Sequence, residues 1–507
     1  MKNEFIIKHE SDIAGSLSCF DRIIIKGTLP LVSFAKGMAS FLLKAGVLFK
    51  DYAKFAEALT LDLRQQTIAL AAKEGVTIEF VSSPKVRKED LIKKVLDQRG
   101  YAPGLVHILS AMETCPSYQY RFDKASGKSY LKQGTTKCLH YYFYFIDELL
   151  GLGYLRVPAY PPFSLQAYFN GHNWLANKLD GQGISYTLED NAFTHISDYT
   201  AAQKIADALD VQQLHKKFDE LALKFCPPYK TFSQTYHWSI MQVEYATDIV
   251  FKDDKSLRPV YEALLRLVML TVMPDDVAVF LGRKGIHGRN NQPVETTLKT
   301  RQMGQRIKHR MGSGSIKIYD KFSKVLRIET TTNNTTEFRH YRSVVHRDGS
   351  IPIAIGTKVA PVVKNIYSLK DLIPIFKGCN SRYLTFLSAF EPPLAGQKRL
   401  EKITETTQAN KRSYKGFNFF DKEDERLMLS VAKGDFTIRG FQNKDLKKLL
   451  PQKSSGQVSR LIARMKVKGL LKKVAGTYRY YLTKLGQRII LTALKLKELF
   501  ITPQFSF

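Results

Sequence analysis

The sequence predicts a multidomain α/β (α+β) protein ending in a winged helix-turn-helix, and three observations predict it. The chain has 507 residues, more than one hydrophobic core holds, so two to four domains are expected. Short apolar strands alternate with amphipathic helices along most of its length. Residues 421–507 read as helices, then two strands around a tight turn, then a last helix.

Residues 1–130 form the first α/β region. FDRIIIKGTLP reads as a strand closed by Gly27 and Pro30, followed by helices at Phe34–Lys44 and Tyr52–Lys73. VTIEFV is a second strand, Lys88–Gln98 a helix and GLVHILSAM a third strand. Ser117–Lys132 reads as a hairpin turning at Lys124–Lys128. Residues 131–230 are rich in aromatics and interrupted by Pro158, Pro161 and Pro162. Those aromatics serve either as core or as stacking platforms for unpaired bases.

Residues 231–375 are expected to form a third domain. HWSIMQVEYATDIVF has strand character, SLRPVYEALLRLVMLTVM has helical spacing, and DDVAVFLG returns as a strand, which makes a β-α-β unit. A basic segment, Leu298–Met311, precedes the turn GSGS and the strands SIKIYDK and KVLRIETTTN. LGRKGIHG lacks the G-K-[ST] ending of a phosphate loop. Residues 376–420 are expected as a linker.

In the last domain, Leu427–Gly434 and Asn443–Leu450 are helices, and Ser454 or Ser455 caps a third that stops at Gly469. GLLKKV and TYRYYLT flank Ala475–Gly476. Between Lys444 and Lys495 stand fourteen Lys or Arg and one acid, Asp445. Arg460, Arg464, Lys466 and Lys468 then belong to the recognition helix, and Lys472, Lys473 and Arg479 to the wing.

The whole chain carries 77 Lys+Arg against 47 Asp+Glu, a net charge of +30. That excess favours a polyanionic partner, DNA first and structured RNA second. Five scattered cysteines without a C-x-x-C pair argue against a disulfide framework or a zinc ribbon. Cys138 and His140 in KCLHYY have no second pair at ligand spacing and read as buried. No signal peptide or apolar run long enough for a bilayer is visible, so a cytoplasmic protein without membrane contact is expected.

The central region holds the one arrangement that looks catalytic. A strand period of two puts Glu244 and Asp248 on one face and Val243, Tyr245, Ile249 and Phe251 on the other. Arg327 and Glu329 likewise oppose Leu326 and Ile328. If the two strands are neighbours, three carboxylates and an arginine gather on an exposed sheet surface. Such carboxylates bind Mg²⁺ or Mn²⁺, which polarises a phosphodiester. A tyrosine, Tyr319 or Tyr341, can then attack phosphorus. Arg306, Lys308, His309, Arg310, Lys317, Lys321 and Arg327 are candidate phosphate contacts. In the structural alternative, Glu329 merely pairs with a neighbouring cation.

The run SIKIYDK…VLRIET resembles the K-x-Y-[DS]-K…L-R-x-E pattern of rolling-circle replication initiators. This likeness covers about 100 residues and implies a palm-like nuclease core with metal-dependent nicking and rejoining of DNA through a tyrosine. It carries over Glu329 as a metal ligand, Lys317, Tyr319 and Lys321 as the K-x-Y-x-K element, and Asp248 as the first-strand acid. A His-hydrophobe-His strand is absent. Some initiator lineages have carboxylates in its place, which suits this chain. The whole chain also resembles bacterial proteins that carry KCLH, ATD and YDK ahead of a terminal winged helix. Two readings follow: a Rep- or transposase-like strand-nicking enzyme of a mobile element, or a non-catalytic DNA- or RNA-binding regulator.

Overall fold

Strand β1 (Ile13–Thr28) owes its extended form to the branched run Ile23–Ile25, and it lies inside a sheet of eleven strands. A computed structural model describes residues 3–283, 292–301, 304–343, 357–390, 400–409 and 411–502. After β1 come β2 (Ile78–Phe80), β3 (Gly104–Asp123), β4 (Lys128–Asp147), β5 (Gly151–Pro158) and β6 (Leu165–Asn170). A separate hairpin, β7 (Tyr186–Glu189) and β8 (Ala192–Ile196), precedes β9 (His237–Phe251). The sheet continues with β10 (Val294–Arg301), β11 (Gly304–Met311), β12 (Gly314–Lys321) and β13 (Val325–Thr332). Its order is β10-β11-β12-β13-β9-β1-β6-β5-β4-β3-β2, antiparallel except between β2 and β3.

The order contains a repeat. From β1 the chain passes through helices into the meander β3-β4-β5-β6, and β6 pairs back on β1. From β9 it passes through helices into the meander β10-β11-β12-β13, and β13 pairs back on β9. The first strands of the two halves, β1 and β9, pair antiparallel at the centre. Asp21-Arg22-Ile23-Ile24-Ile25-Lys26 on β1 matches Asp248-Ile249-Val250-Phe251-Lys252 with one residue added.

One face of the sheet packs on helices. Ile23, Phe169, Val243, Ile249, Ile318 and Ile328 meet residues from the helices Tyr52–Glu74, Val211–Phe225, Asp254–Thr271 and Leu369–Phe390 in a single apolar core. The opposite face carries an apolar cluster over β3, β4 and β5, where Leu109, Tyr142, Tyr144 and Tyr154 lie with Ile92 and Leu96 of the helix Lys88–Arg99. Its middle carries the charged side chains.

The chain divides into two units, Met1–Phe390 and Glu391–Phe507. Boundaries expected near 130 and 230 fall inside the first unit, because β3 pairs with β4 across one and β1 with β9 across the other. The linker expected at 376–420 begins inside the helix Leu369–Phe390, whose apolar face reaches Leu387. DDVAVFLG is not a strand: Pro274–Phe280 is a helix. Proline opens its first turn, and the Asp276 carboxylate accepts from the Met273 amide at 2.8 Å. The central region is therefore strand-helix-helix-meander rather than β-α-β. In the second unit the helix Ser455–Val467 is capped by Ser454, and Gly469 at φ +75° ends its last turn. The strands Leu471–Lys473 and Tyr480–Leu482 pair, and Phe441 bridges to Tyr480 beside them.

Candidate metal and phosphate site

Cross-strand partners share a face, so the register gives the rows of side chains directly. One row runs Arg306, Tyr319, Arg327, Asp248. The next runs Lys308, Lys317, Glu329, Ala246, and a third runs Arg310, Ser315, Thr331, Glu244. On β1 the pairing shifts between Phe20–Tyr245 and Ile23–Val243, so Asp21 and Arg22 together oppose Glu244. This bulge puts Asp21 on the charged face.

Asp21, Asp248 and Arg327 form the inner part. Arg327 is fully buried and donates to both Asp248 oxygens, Nε to Oδ1 at 2.6 Å and Nη2 to Oδ2 at 2.7 Å. Its Nη2 also donates to the Asn191 carbonyl at 2.6 Å, which with Asp248 uses both hydrogens of that nitrogen; His172 Nε2 stands 3.0 Å from Nη2 and 3.4 Å from Asp248 Oδ2. His172 Nδ1 lies 3.3 Å from Asp21 Oδ1. Asn170 and Asn191 donate to the same oxygen at 2.8 and 2.7 Å. Burial alone would raise the Asp248 carboxyl, but Arg327 overrides it and holds the group at about 2. Asp21 is likewise held well below the carboxylate range against its burial, by His172 and Arg327.

The outer part is Glu244, Glu329, Lys317 and Tyr319. Lys317 Nζ donates to Glu329 Oε1 and, at 3.1 Å, to Glu244 Oε1, while the Tyr319 hydroxyl donates to Glu329 Oε2. Burial and the neighbouring Glu329 push the Glu244 carboxyl up to about 7, against the pull of Lys317. Glu329 itself falls below its ordinary value despite burial, because Lys317 is in contact. Burial and Glu329 raise the Tyr319 phenol well above its usual range.

One oxygen from each of Asp21, Glu244 and Glu329 lies within 4.8 Å of the others, the spacing of ligands around one small divalent cation. Two expectations change here. The charged face is not exposed at these positions, since Asp248, Arg327 and Glu329 are at most 1% accessible. Asp248 is also not in the ligand-spaced trio, because Arg327 occupies both its oxygens and Asp21 takes its place. Asp21, Asn170, His172 and Asn191 lie on elements that strand periodicity around 240–330 does not reach. Asp21 alone has a sequence signal, the Asp-apolar-Lys run at 21–26 that is matched at 248–252.

Other candidates divide by environment. Lys321 is buried and donates to Asn191 Oδ1, with Asp190 at 3.4 Å; it braces the β7–β8 turn rather than facing solvent. His309 lies on the opposite sheet face, fully buried between Thr296 Oγ1 at 2.9 Å and Tyr383 at 3.0 Å. Burial lowers it to about 4, so it is a neutral core histidine and not a phosphate contact. Lys317 and Arg327 are spent on carboxylates. Arg306, Lys308 and Arg310 are part-accessible or exposed, and burial together with the cations around Lys308 lowers its pKa. Tyr341 is 68% exposed on the strand Arg339–Ser343, which pairs with Thr357–Pro361 in a two-stranded sheet apart from the eleven strands. Residues 284–288 of LGRKGIHG lie outside the described residues.

In the second unit, Arg464 grips Asp424 at 2.7 and 2.8 Å and stacks on Phe417, while Lys468 is buried on the Glu405 carbonyl and Thr407. Both hold the unit together and are not free for a ligand. Arg460, Lys466, Lys472, Lys473 and Arg479 remain exposed, with Lys473 5.1 Å from the ring centre of Tyr478.

Among known proteins, no family model, no curated protein and no solved structure matches this chain.

Proposed function

We propose that this chain is a DNA-binding strand-nicking and rejoining enzyme of a mobile element, with a Rep-like palm in the central sheet and a winged helix at its C-terminus. The observation that carries the reading is the Asp21, Glu244 and Glu329 trio, on the sheet face that also bears Arg306, Lys308 and Arg310. Mg²⁺ or Mn²⁺ on those carboxylates supplies charge stabilisation to a phosphodiester in attack. Tyr319 is the favoured nucleophile, because its hydroxyl already donates to Glu329. Its oxygen forms the bond to phosphorus as its proton passes to Glu329, the bond from phosphorus to the sugar oxygen breaks, and that oxygen takes a proton from solvent and leaves as a hydroxyl. Rejoining reverses these steps. Exposed cations on the second unit, Arg460, Lys466, Lys472 and Lys473, would engage duplex phosphates and grooves.

A second reading, a non-catalytic DNA- or RNA-binding regulator, is favoured by Lys317. Its ammonium already bridges Glu244 and Glu329 and neutralises part of the charge a metal would balance. Cleavage of labelled single- and double-stranded DNA with Mg²⁺ or Mn²⁺ separates the two. Nicks that need metal, leave protein on DNA and vanish in Glu329→Ala and Tyr319→Phe support the enzyme. Salt-sensitive binding without cutting on any substrate supports the regulator.

A further inference from the structure

Away from the carboxylate site, the charged face of the sheet carries two cysteines. Cys115 on β3 and Cys138 on β4 sit at diagonal positions of the ladder, since Glu113 pairs with Cys138 and Cys115 with Thr136. Their sulfurs are 2.9 Å apart. Cys115 lines an open cleft together with Lys26, His140, Arg156, Gln166 and Met241. Cys138 does not line that cleft; its sulfur touches that of Cys115 and has His140 Nδ1 at 3.8 Å. Cys19, Cys226 and Cys379 are buried in the apolar core and serve as internal comparisons.

We propose that Cys115 and Cys138 form a redox-active dithiol, with Cys115 reacting first with a hydroperoxide that enters the cleft and Cys138 resolving it to an intramolecular disulfide. Three features support this order. Cys115, though buried, is the cysteine that lines the cleft, and Lys26 and Arg156, the latter paired with Glu113, line it too. The S–H of Cys138 donates to the Cys115 sulfur, which stabilises the thiolate there, and Arg156 adds to the effect. Cys138 is held as the thiol by the same contact and by burial. The second sulfur already touches the first, the approach that disulfide closure requires.

The chemistry balances with the peroxide as oxidant. The Cys115 thiolate attacks one peroxide oxygen; the S–O bond forms, the O–O bond breaks, and the departing hydroxide takes a proton from solvent. Cys138 then attacks the Cys115 sulfur. The S–S bond forms, the S–O bond breaks, and the Cys138 proton leaves with the hydroxyl as water. Two thiols are oxidised and one peroxide is reduced to two waters.

The test treats the reduced full-length protein with an equivalent of hydrogen peroxide, blocks remaining thiols after unfolding, and reads intact mass and the peptide map. The expected product is about 2 Da lighter before blocking, joins the Cys115 and Cys138 peptides, and leaves three of the five cysteines free. Cys138→Ser is expected to trap a sulfenic acid at position 115 that dimedone labels, whereas Cys115→Ser leaves Cys138 a thiol. Five free thiols after treatment together with a dimedone-silent Cys138→Ser would overturn the proposal. So would equal oxidation of Cys19, Cys226 and Cys379.

Discussion

At the scale of single residues, the sheet spends its cations on its acids, and the consequences differ for each pair. Arg327 has no exposed atom of consequence and serves Asp21 and Asp248 at once. Removing it leaves two buried carboxylates uncompensated, so Arg327→Ala is expected to cost about 3–5 kcal/mol in urea unfolding. A loss below about 1 kcal/mol would contradict the burial of that cluster. Glu244 behaves in the opposite sense. Its folded value near 7 lies above the ordinary 4.5, so the ionised form is favoured less in the fold than in the unfolded chain. The resulting cost is absent below pH 4.5 and complete once pH has passed 7. Glu244→Gln is therefore expected to raise thermal stability at pH 8 in chelator, by about 1–2 kcal/mol, while abolishing metal binding. The even spacing that pairs Glu244 with Asp248 and Arg327 with Glu329 was readable from strand periodicity. Asp21 was not, because one extra residue at a bulge turns it toward the site, and nothing local in FDRIII marks a bulge.

At the scale of elements, legibility follows the strength of the local signal. Helices at Tyr52–Glu74 and Ser455–Val467 and the hairpin turn expected at Lys124–Lys128 carry their own periodicity, caps or turn and appear where the sequence places them, although the hairpin's strands run beyond Ser117–Lys132 to Gly104 and Asp147. The seven-residue helix Pro274–Phe280 does not, since a short apolar run with two leading acids fits either period. The N-terminus of the helix Gly171–Asp180 brings His172 to the inner cluster, and a Cβ on Gly171 would sit 2.2 Å from the Phe20 carbonyl oxygen. Gly171→Ala is expected to lose about 1–3 kcal/mol by forcing those two elements apart; an unchanged melting temperature would contradict that close approach. In the second unit, Arg464 and Arg460 lie one turn apart on one helix and have different work. Arg464→Ala should lower the melting temperature, and Arg460→Ala should weaken DNA binding severalfold with stability unchanged. Composition marks both alike, because a count of cations cannot tell a side chain turned inward onto Asp424 from one turned outward.

At the scale of the whole molecule, the first 390 residues are one unit because their two meanders share a sheet, with β1 and β9 as the seam. Domain boundaries drawn from composition fell within it, since pairing between strands more than 200 residues apart leaves no local trace. That seam is also what assembles the carboxylate trio, with Asp21 from one half and Glu244 and Glu329 from the other. The most direct test is Mn²⁺ binding to the intact protein, followed by electron paramagnetic resonance from pH 5.5 to 8.5. One bound ion per chain, weakening as the pH falls through about 7 and lost in Asp21→Asn, is the predicted result. No bound Mn²⁺ at any pH, or binding that survives Asp21→Asn and Glu329→Gln alike, would contradict it.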